Sequence, residues 1–152
     1  MTTGADGTAT SGILNAGDYY LVELAGIPGY TADTGHHPVT ISENNVTVPI
    51  TVINPRITGC VKVIKTGDGG EPLSGVVSGI YKDGGKVAEL TTGEEGTAAS
   101  GALYYGAYEL RELSTVAGYE LLDVSIPFSI LTDGAVIEIP VTNPLIYGGI
   151  IL

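Results

Sequence analysis

The chain has 152 residues and a formal net charge of −11, because 6 Lys and Arg stand against 17 Asp and Glu. So few cations cannot neutralise a row of phosphates, and the negative charge opposes an anionic membrane surface. We therefore expect neither nucleic-acid binding nor direct membrane insertion, and no transmembrane run or signal peptide stands out. The single cysteine, Cys60, excludes an intrachain disulfide.

Short runs rich in Val, Ile, Thr and Tyr, broken by Asp-Gly or Gly-Gly pairs, predict an all-β protein. No long helical period interrupts them. The glycine pairs are interpreted as hairpin turns, since none has the spacing of a phosphate-binding loop. In chain order, the predicted strands lie near 18–24, 46–54, 60–65, 76–81, 86–91, 106–113, 124–131 and 135–143.

The strand pattern repeats along the chain. Glu23 recurs as Glu112, 89 residues later, and the same offset relates Asn54 to Asn143. A fixed period of this length indicates a tandem array of one domain type. We predict a partial repeat over 1–58 that lacks its front strands, a complete repeat over 59–147, and the start of a further repeat or a tail strand at 148–152.

In the complete repeat, three polar residues stand at the ends of strand faces that are otherwise apolar. Side chains alternate between the two faces of a strand, so residues two apart share a face. By this rule Lys65 follows two valines, Glu112 follows a Tyr and a Leu, and Asn143 follows two isoleucines and a valine. In the first repeat Glu23 and Asn54 end the equivalent faces, whereas the position of the lysine falls before residue 1.

Burial of these groups has chemical consequences. An isolated buried ion costs several kcal/mol, so each group needs a partner. Desolvation lowers the pKa of an amine and raises the pKa of a carboxyl group, which favours a nucleophilic amine and a protonated Glu that can donate to a carboxamide oxygen. Beside an Asn, Lys65 and Glu112 can form an isopeptide bond to Asn143 and release ammonia. A sandwich in which the three residues only exchange hydrogen bonds stays open.

Several short motifs follow one another in the complete repeat: Val63-Ile64-Lys65, Pro72-Leu73-Ser74-Gly75, Thr91-Thr92-Gly93, Gly106 to Glu112, Ala117-Gly118-Tyr119 and Val141-Thr142-Asn143. In this order and spacing they resemble the Cna-B domains, the SpaA-type repeats of Gram-positive surface adhesins and pilins. The first repeat is similar from Thr2-Thr3-Gly4 onward. The chain departs from the family around Ser78-Gly79, where an aromatic residue is usual.

The resemblance implies tandem prealbumin-like (Ig-like) antiparallel β-sandwich domains, the first one incomplete at its N-terminal side. It also implies an isopeptide bond between Lys65 and Asn143 that is promoted by Glu112. Glu23 and Asn54 match the same acid and acceptor, and Asn54 has no lysine partner within the chain.

No cofactor and no metal are expected. His36 and His37 lie near Asp33, but adjacent strand residues point to opposite faces, so the sequence favours a polar loop over a metal site. Lys62 should face away from Lys65, which makes it a poor alternative nucleophile.

We predict a structural stalk or shaft segment of a cell-surface adhesin or pilus-like fibre, extracellular and stiffened by the self-formed bond. Its expected partners are neighbouring repeats of the same protein and other copies in a fibre. The crosslink reacts once per domain, so the protein is not expected to be a turnover enzyme. Two alternatives stay open: a polymerising pilin or fibre subunit assembled by strand complementation, and a binding module for a host protein or glycan.

Overall fold

The computed structural model describes all residues 1–152, and its regular elements are β-strands alone, as the sequence predicts. Contacts divide the chain into two compact units. The smaller unit contains Met1–Ile27 and Ala32–Asn54, and the larger unit contains Pro28–Thr31 and Pro55–Leu152. Neither unit has a helix long and apolar enough to cross a membrane.

The smaller unit has one antiparallel strand pair, β1 (Gly17–Leu21) with β2 (His37–Ile41). The predicted strand at 46–54 is wrong, because this segment pairs with no other strand, and three of its apolar side chains are 36% to 48% exposed. Alternation predicts which face a residue takes, but a strand also needs a neighbour for its backbone groups. The polar loop predicted at His37 is instead the start of β2.

The larger unit has eight strands: β3 (Thr58–Gly67), β4 (Val77–Lys82), β5 (Gly85–Thr91), β6 (Thr97–Ala99), β7 (Leu103–Tyr104), β8 (Gly106–Ser114), β9 (Ser125–Ile130) and β10 (Ala135–Asn143). One sheet has the order β10-β3-β6, with β7 also on β3, and the other has the order β5-β4-β8-β9. All pairs are antiparallel except β10 with β3, which is parallel and departs from the antiparallel sandwich predicted.

The core of the larger unit is built from the apolar faces of both sheets. On β3 the alternation predicted from sequence is confirmed, because Val61, Val63 and Lys65 are buried. Lys62, on the opposite face, is only half-buried and pairs with Glu138 at 3.1 Å. The core cluster consists of Val61, Val63, Ile80, Leu90, Leu103, Tyr108, Leu110, Phe128, Ile130 and Ile139.

The Thr-Thr-Gly motif has a structural role in the larger unit. The buried Thr92 hydroxyl donates to the carbonyl of Leu73 at 2.6 Å and accepts from the backbone N–H of Val76 at 3.0 Å. It therefore ties the loop before β4 to the end of β5.

Replacing Ile80 with Ala tests this core. Ile80 is 0% exposed, so we expect the free energy of unfolding to fall by about 2–5 kcal/mol through lost burial and the cavity left behind. Chemical denaturation measures the change. Val87→Ala is the control, since Val87 is 52% exposed and its truncation should change stability by no more than about 0.5 kcal/mol. Equal losses in the two variants would contradict the core described here.

Candidate functional site

Three of the residues selected from the sequence converge from the two sheets of the larger unit. Lys65 on β3 is paired in register with Val141 on β10, and Asn143 lies two residues further along the same face. Glu112 approaches from β8 of the opposite sheet. Lys65 is 1% exposed, Asn143 is 0% exposed, and the side chain of Glu112 is 4% exposed. The site is thus closed to bulk water.

The carboxylate of Glu112 bridges the amine and the carboxamide. Its Oε2 lies 2.5 Å from Lys65 Nζ, and its Oε1 accepts a hydrogen bond from Asn143 Nδ2 at 2.6 Å. The backbone N–H of Leu122 also donates to Oε1 at 3.3 Å. The Lys65–Glu112 contact is a close ion pair, and Lys65 Nζ has no other polar partner. One carboxylate therefore contacts the nitrogen atoms of both other groups.

The carboxamide of Asn143 has a defined orientation. Its Nδ2 also donates to Thr115 Oγ1 at 3.1 Å and to the backbone carbonyl of Glu120 at 2.8 Å. A carbonyl oxygen can only accept a hydrogen bond, so the atom of Asn143 that faces the Glu120 carbonyl is the nitrogen and not the oxygen. Asn143 Oδ1 is buried and has no partner. Sequence reasoning expected Glu112 to donate to this oxygen, whereas the structure has Glu112 on the nitrogen.

Burial lowers the pKa of Lys65 below its ordinary value of 10.5. The ion pair with Glu112 acts in the opposite direction and only partly offsets desolvation. The amine is therefore easier to deprotonate than an exposed lysine, as a nucleophile requires.

Hydrogen bonds to two neighbouring segments of the chain hold the backbone of Lys65 in place. The N–H of Lys65 donates to the carbonyl of Gly96 at 2.7 Å, and the Lys65 carbonyl accepts from the N–H of Leu73 at 3.0 Å. Gly96 has φ +67°, and a Cβ there would lie 2.4 Å from the Lys65 carbonyl oxygen. Only glycine combines this conformation with this approach, so Gly96 helps to fix the position of Lys65.

A cavity adjoins the ion pair where the family resemblance implies an aromatic residue. Ser78, which is buried and paired across the sheet with Glu112, stands there instead. The cavity is lined by Lys65, Ser78, Leu110, Glu112, Leu122, Val124, Ile126 and Val141. Ser78 has the smallest side chain among the residues that line this cavity.

The smaller unit brings together the other two predicted site residues. Asn54 Nδ2 donates to Glu23 Oε1 at 2.7 Å and to Oε2 at 2.8 Å. The backbone N–H of Asp33 donates to Glu23 Oε2 at 2.7 Å, as Leu122 does to Glu112. This unit contains no lysine, so its acid and acceptor have no amine partner.

Two contacts of the site were not found by sequence reasoning. The residue of the first repeat at the offset of Thr115 is Gly26, so comparing the repeats gives no signal for this hydroxyl. The backbone carbonyl of Glu120 has no side-chain signature at all. In the other polar cluster, His37 Nε2 lies 3.0 Å from Asp33 Oδ2, and no group of three metal-binding side chains is present.

Comparisons with known proteins agree with this architecture. The family model described as the SpaA prealbumin-like fold domain matches residues 1–56 and 59–144. The Bacillus anthracis TIE protein has a similar structure, with a TM-score of 0.90 and 25% identity over 95% of this chain and 28% of that protein. No relative is found among curated proteins.

Two pilins are also similar. BcpA, the major pilin subunit of Bacillus cereus, has a TM-score of 0.52 and 28% identity, covering 57% of this chain and 28% of that protein. GBS52, the minor pilin of Streptococcus agalactiae, has a TM-score of 0.55 and 21% identity over 99% of this chain and 69% of that protein, a likeness of fold alone. The chain spans little more than a quarter of the length of the TIE protein and of BcpA.

The matched structures define an all-β, prealbumin-like class of domain that occurs in pilins of Gram-positive bacteria. The chain belongs to the SpaA prealbumin-like domain family, whose model matches most of its length.

Because the pKa of Lys65 is lowered, we predict that the stability of a chain that keeps the free amine depends on pH. In an Asn143→Ala background, the unfolded state binds more protons than the folded state between the pKa of buried Lys65 and 10.5. The free energy of unfolding should therefore rise with pH through this window relative to Asn143→Ala with Lys65→Met. Denaturation at a series of alkaline pH values measures the difference, and parallel profiles would contradict the shift.

Proposed function

We propose that this chain is a structural segment of a cell-surface stalk or pilus-like fibre, and that its larger unit stiffens itself by an isopeptide bond between Lys65 and Asn143. The observation that carries the proposal is the buried carboxylate of Glu112, which lies 2.5 Å from the amine and 2.6 Å from the carboxamide nitrogen. An acid–base group in this position can move protons from the nucleophile to the leaving group.

The proposed reaction uses only these three side chains. Glu112 takes a proton from the ammonium of Lys65, and the neutral amine attacks Cγ of Asn143. Glu112 then donates that proton to Nδ2, the Cγ–Nδ2 bond breaks, and ammonia leaves. The attacking nitrogen gives its second proton to Glu112. The products are a neutral amide between Lys65 and Asn143, a protonated Glu112 and one ammonia.

The position of the bond gives it a mechanical consequence. It joins β3 to the adjacent parallel strand β10, the first and last strands of the larger unit. Tension applied to the chain ends would pass through the crosslink and leave the residues between 65 and 143 unloaded. On the loop-entropy model for disulfides, closing a loop of this length stabilises the folded state by about 4–5 kcal/mol.

We also propose the domain organisation of the stalk. It comprises a partial repeat over 1–58, a complete repeat over 59–147, and the start of a further repeat or a tail strand at 148–152. The two stretches matched by the family model support this division, as do the equivalent Glu–Asn hydrogen bonds of the two units. Similarity to pilin subunits supports an extracellular, wall-associated location with other repeats and other copies as partners.

A fibre subunit joined by strand pairing is the second candidate function. The segment 46–54 has no strand partner, and Ile150 and Ile151 in the tail are almost fully exposed. The tail corresponds, at the repeat offset, to the first residues of β3, which pair with β10. The tail of one copy would therefore complete the smaller unit of another.

The isopeptide bond is tested by the intact mass of the purified chain. We expect the loss of one ammonia, because formation of the bond expels Nδ2 of Asn143. Lys65→Ala and Glu112→Ala should both keep the full mass, the first for lack of a nucleophile and the second for lack of the proton carrier. Lys62→Ala is the matched control and should still lose ammonia.

Two other outcomes of this measurement are informative. An unchanged mass in the unaltered chain would refute the crosslink and leave a sandwich held by hydrogen bonds alone. Loss of ammonia found only in covalent oligomers that survive boiling in detergent would favour the fibre-subunit candidate over the stalk.

Force spectroscopy tests the mechanical role. With handles at the chain ends, the Lys65→Ala chain should extend by roughly 260 Å more than the unaltered chain, because the residues between 65 and 143 become free to stretch. Equal extensions of the two chains would show that the larger unit is not protected from force.

A further inference from the structure

The environment of Asn143 Nδ2 contains more acceptors than its amide can use. The nitrogen has two hydrogens, yet three oxygen atoms surround it: Glu112 Oε1 at 2.6 Å, the Glu120 carbonyl at 2.8 Å and Thr115 Oγ1 at 3.1 Å. The oxygen of the same carboxamide has no partner. The resting amide can therefore donate a full hydrogen bond to only two of the three oxygen atoms at a time.

We propose that Thr115, the Glu120 carbonyl and Glu112 form a binding site for the departing ammonia of the reaction proposed above. When the Cγ–Nδ2 bond breaks and Glu112 has delivered its proton, the nitrogen has three hydrogens. Each hydrogen then has one of the three acceptors. The site is better matched to the leaving group than to the amide, and interactions that strengthen along the reaction path accelerate it. This inference rests on the proposed crosslinking function.

The two repeats differ at this site. In the smaller unit the hydrogen bonds of Asn54 Nδ2 go to the two carboxylate oxygens of Glu23. Gly26 stands at the offset of Thr115 and has no hydroxyl. The hydroxyl is therefore a feature of the larger unit, and a Glu–Asn pair can form without it. Thr115 is therefore not needed to bring the Glu and Asn side chains together. We attribute its hydroxyl, the third hydrogen-bond acceptor, to the release of ammonia.

Thr115→Val removes the hydroxyl while keeping the shape of the side chain. We expect it to slow ammonia loss about tenfold, the effect of one hydrogen bond that strengthens in the transition state. The full chain is made in a cell-free translation system, and intact mass is followed from the moment of synthesis. Thr115→Ser should restore the rate. Thr142→Val is the matched control, because Thr142 neighbours Asn143 but is exposed and contacts Thr66.

A structural effect of the substitution is measured separately. The melting temperatures of Lys65→Ala and of Lys65→Ala with Thr115→Val compare the unreacted folds. A slow reaction with little change in melting temperature supports the ammonia site. A rate loss that follows a loss of stability and is not restored by serine would overturn it.

The outcomes also separate this inference from the proposed function. If the unaltered chain never loses ammonia, the crosslinking function fails. If the unaltered chain reacts and Thr115→Val reacts at the same rate, the crosslink stands and the ammonia site is refuted.

Discussion

The burial of the Lys65 ammonium is the constraint on which the rest of the site depends. Removing a charge from water costs several kcal/mol of free energy even after relaxation. Attraction to an opposite charge offsets this cost only when the geometry is good and further hydrogen bonds are made. Here the ammonium has the Glu112 carboxylate as its one charged partner, and the carboxamide oxygen of Asn143 has no donor. An apolar side chain would fill the position at less cost. Stability alone therefore does not explain Lys65, whereas the proposed reaction, which consumes its charge, would explain it.

Strand register and backbone contacts position the three side chains of the site. A slip of one residue between β3 and β10 would turn every side chain of a strand to the other face, so Lys65 would point to solvent. In the observed register Lys65 pairs with Val141, and Asn143, two residues further along β10, lies on the same inward face. Gly96 permits the close crossing that holds the Lys65 backbone. Glu112 belongs to the other sheet, so the site exists only when both sheets are packed together.

Much of this arrangement could be predicted from the sequence, because alternation along strands decides which residues face inward. Lys65, Glu112 and Asn143 were selected in this way, and their faces are buried. Alternation does not identify the neighbour of a strand, which is why the prediction for 46–54 was wrong. The strand at 37–41 was missed because its second residue is a proline, and the shortest strands have too few residues to show a pattern. The orientation of the Asn143 amide depends on a backbone carbonyl, which no residue type reveals.

The two units differ in the number of ionisable groups that surround the Glu–Asn pair. The pair of Glu23 with Asn54 is half-buried and contains a single ionisable group, so partial hydration satisfies it. Adding a lysine and closing the site, as in the larger unit, places an ion pair in the core. In the proposed reaction this pair becomes a neutral amide and a protonated carboxyl group, and ammonia carries nitrogen and protons out. The buried charges disappear, and the protonated Glu112 can donate to the carbonyl oxygen that had no partner before. The same desolvation that opposes folding of the unreacted site therefore favours the crosslinked product.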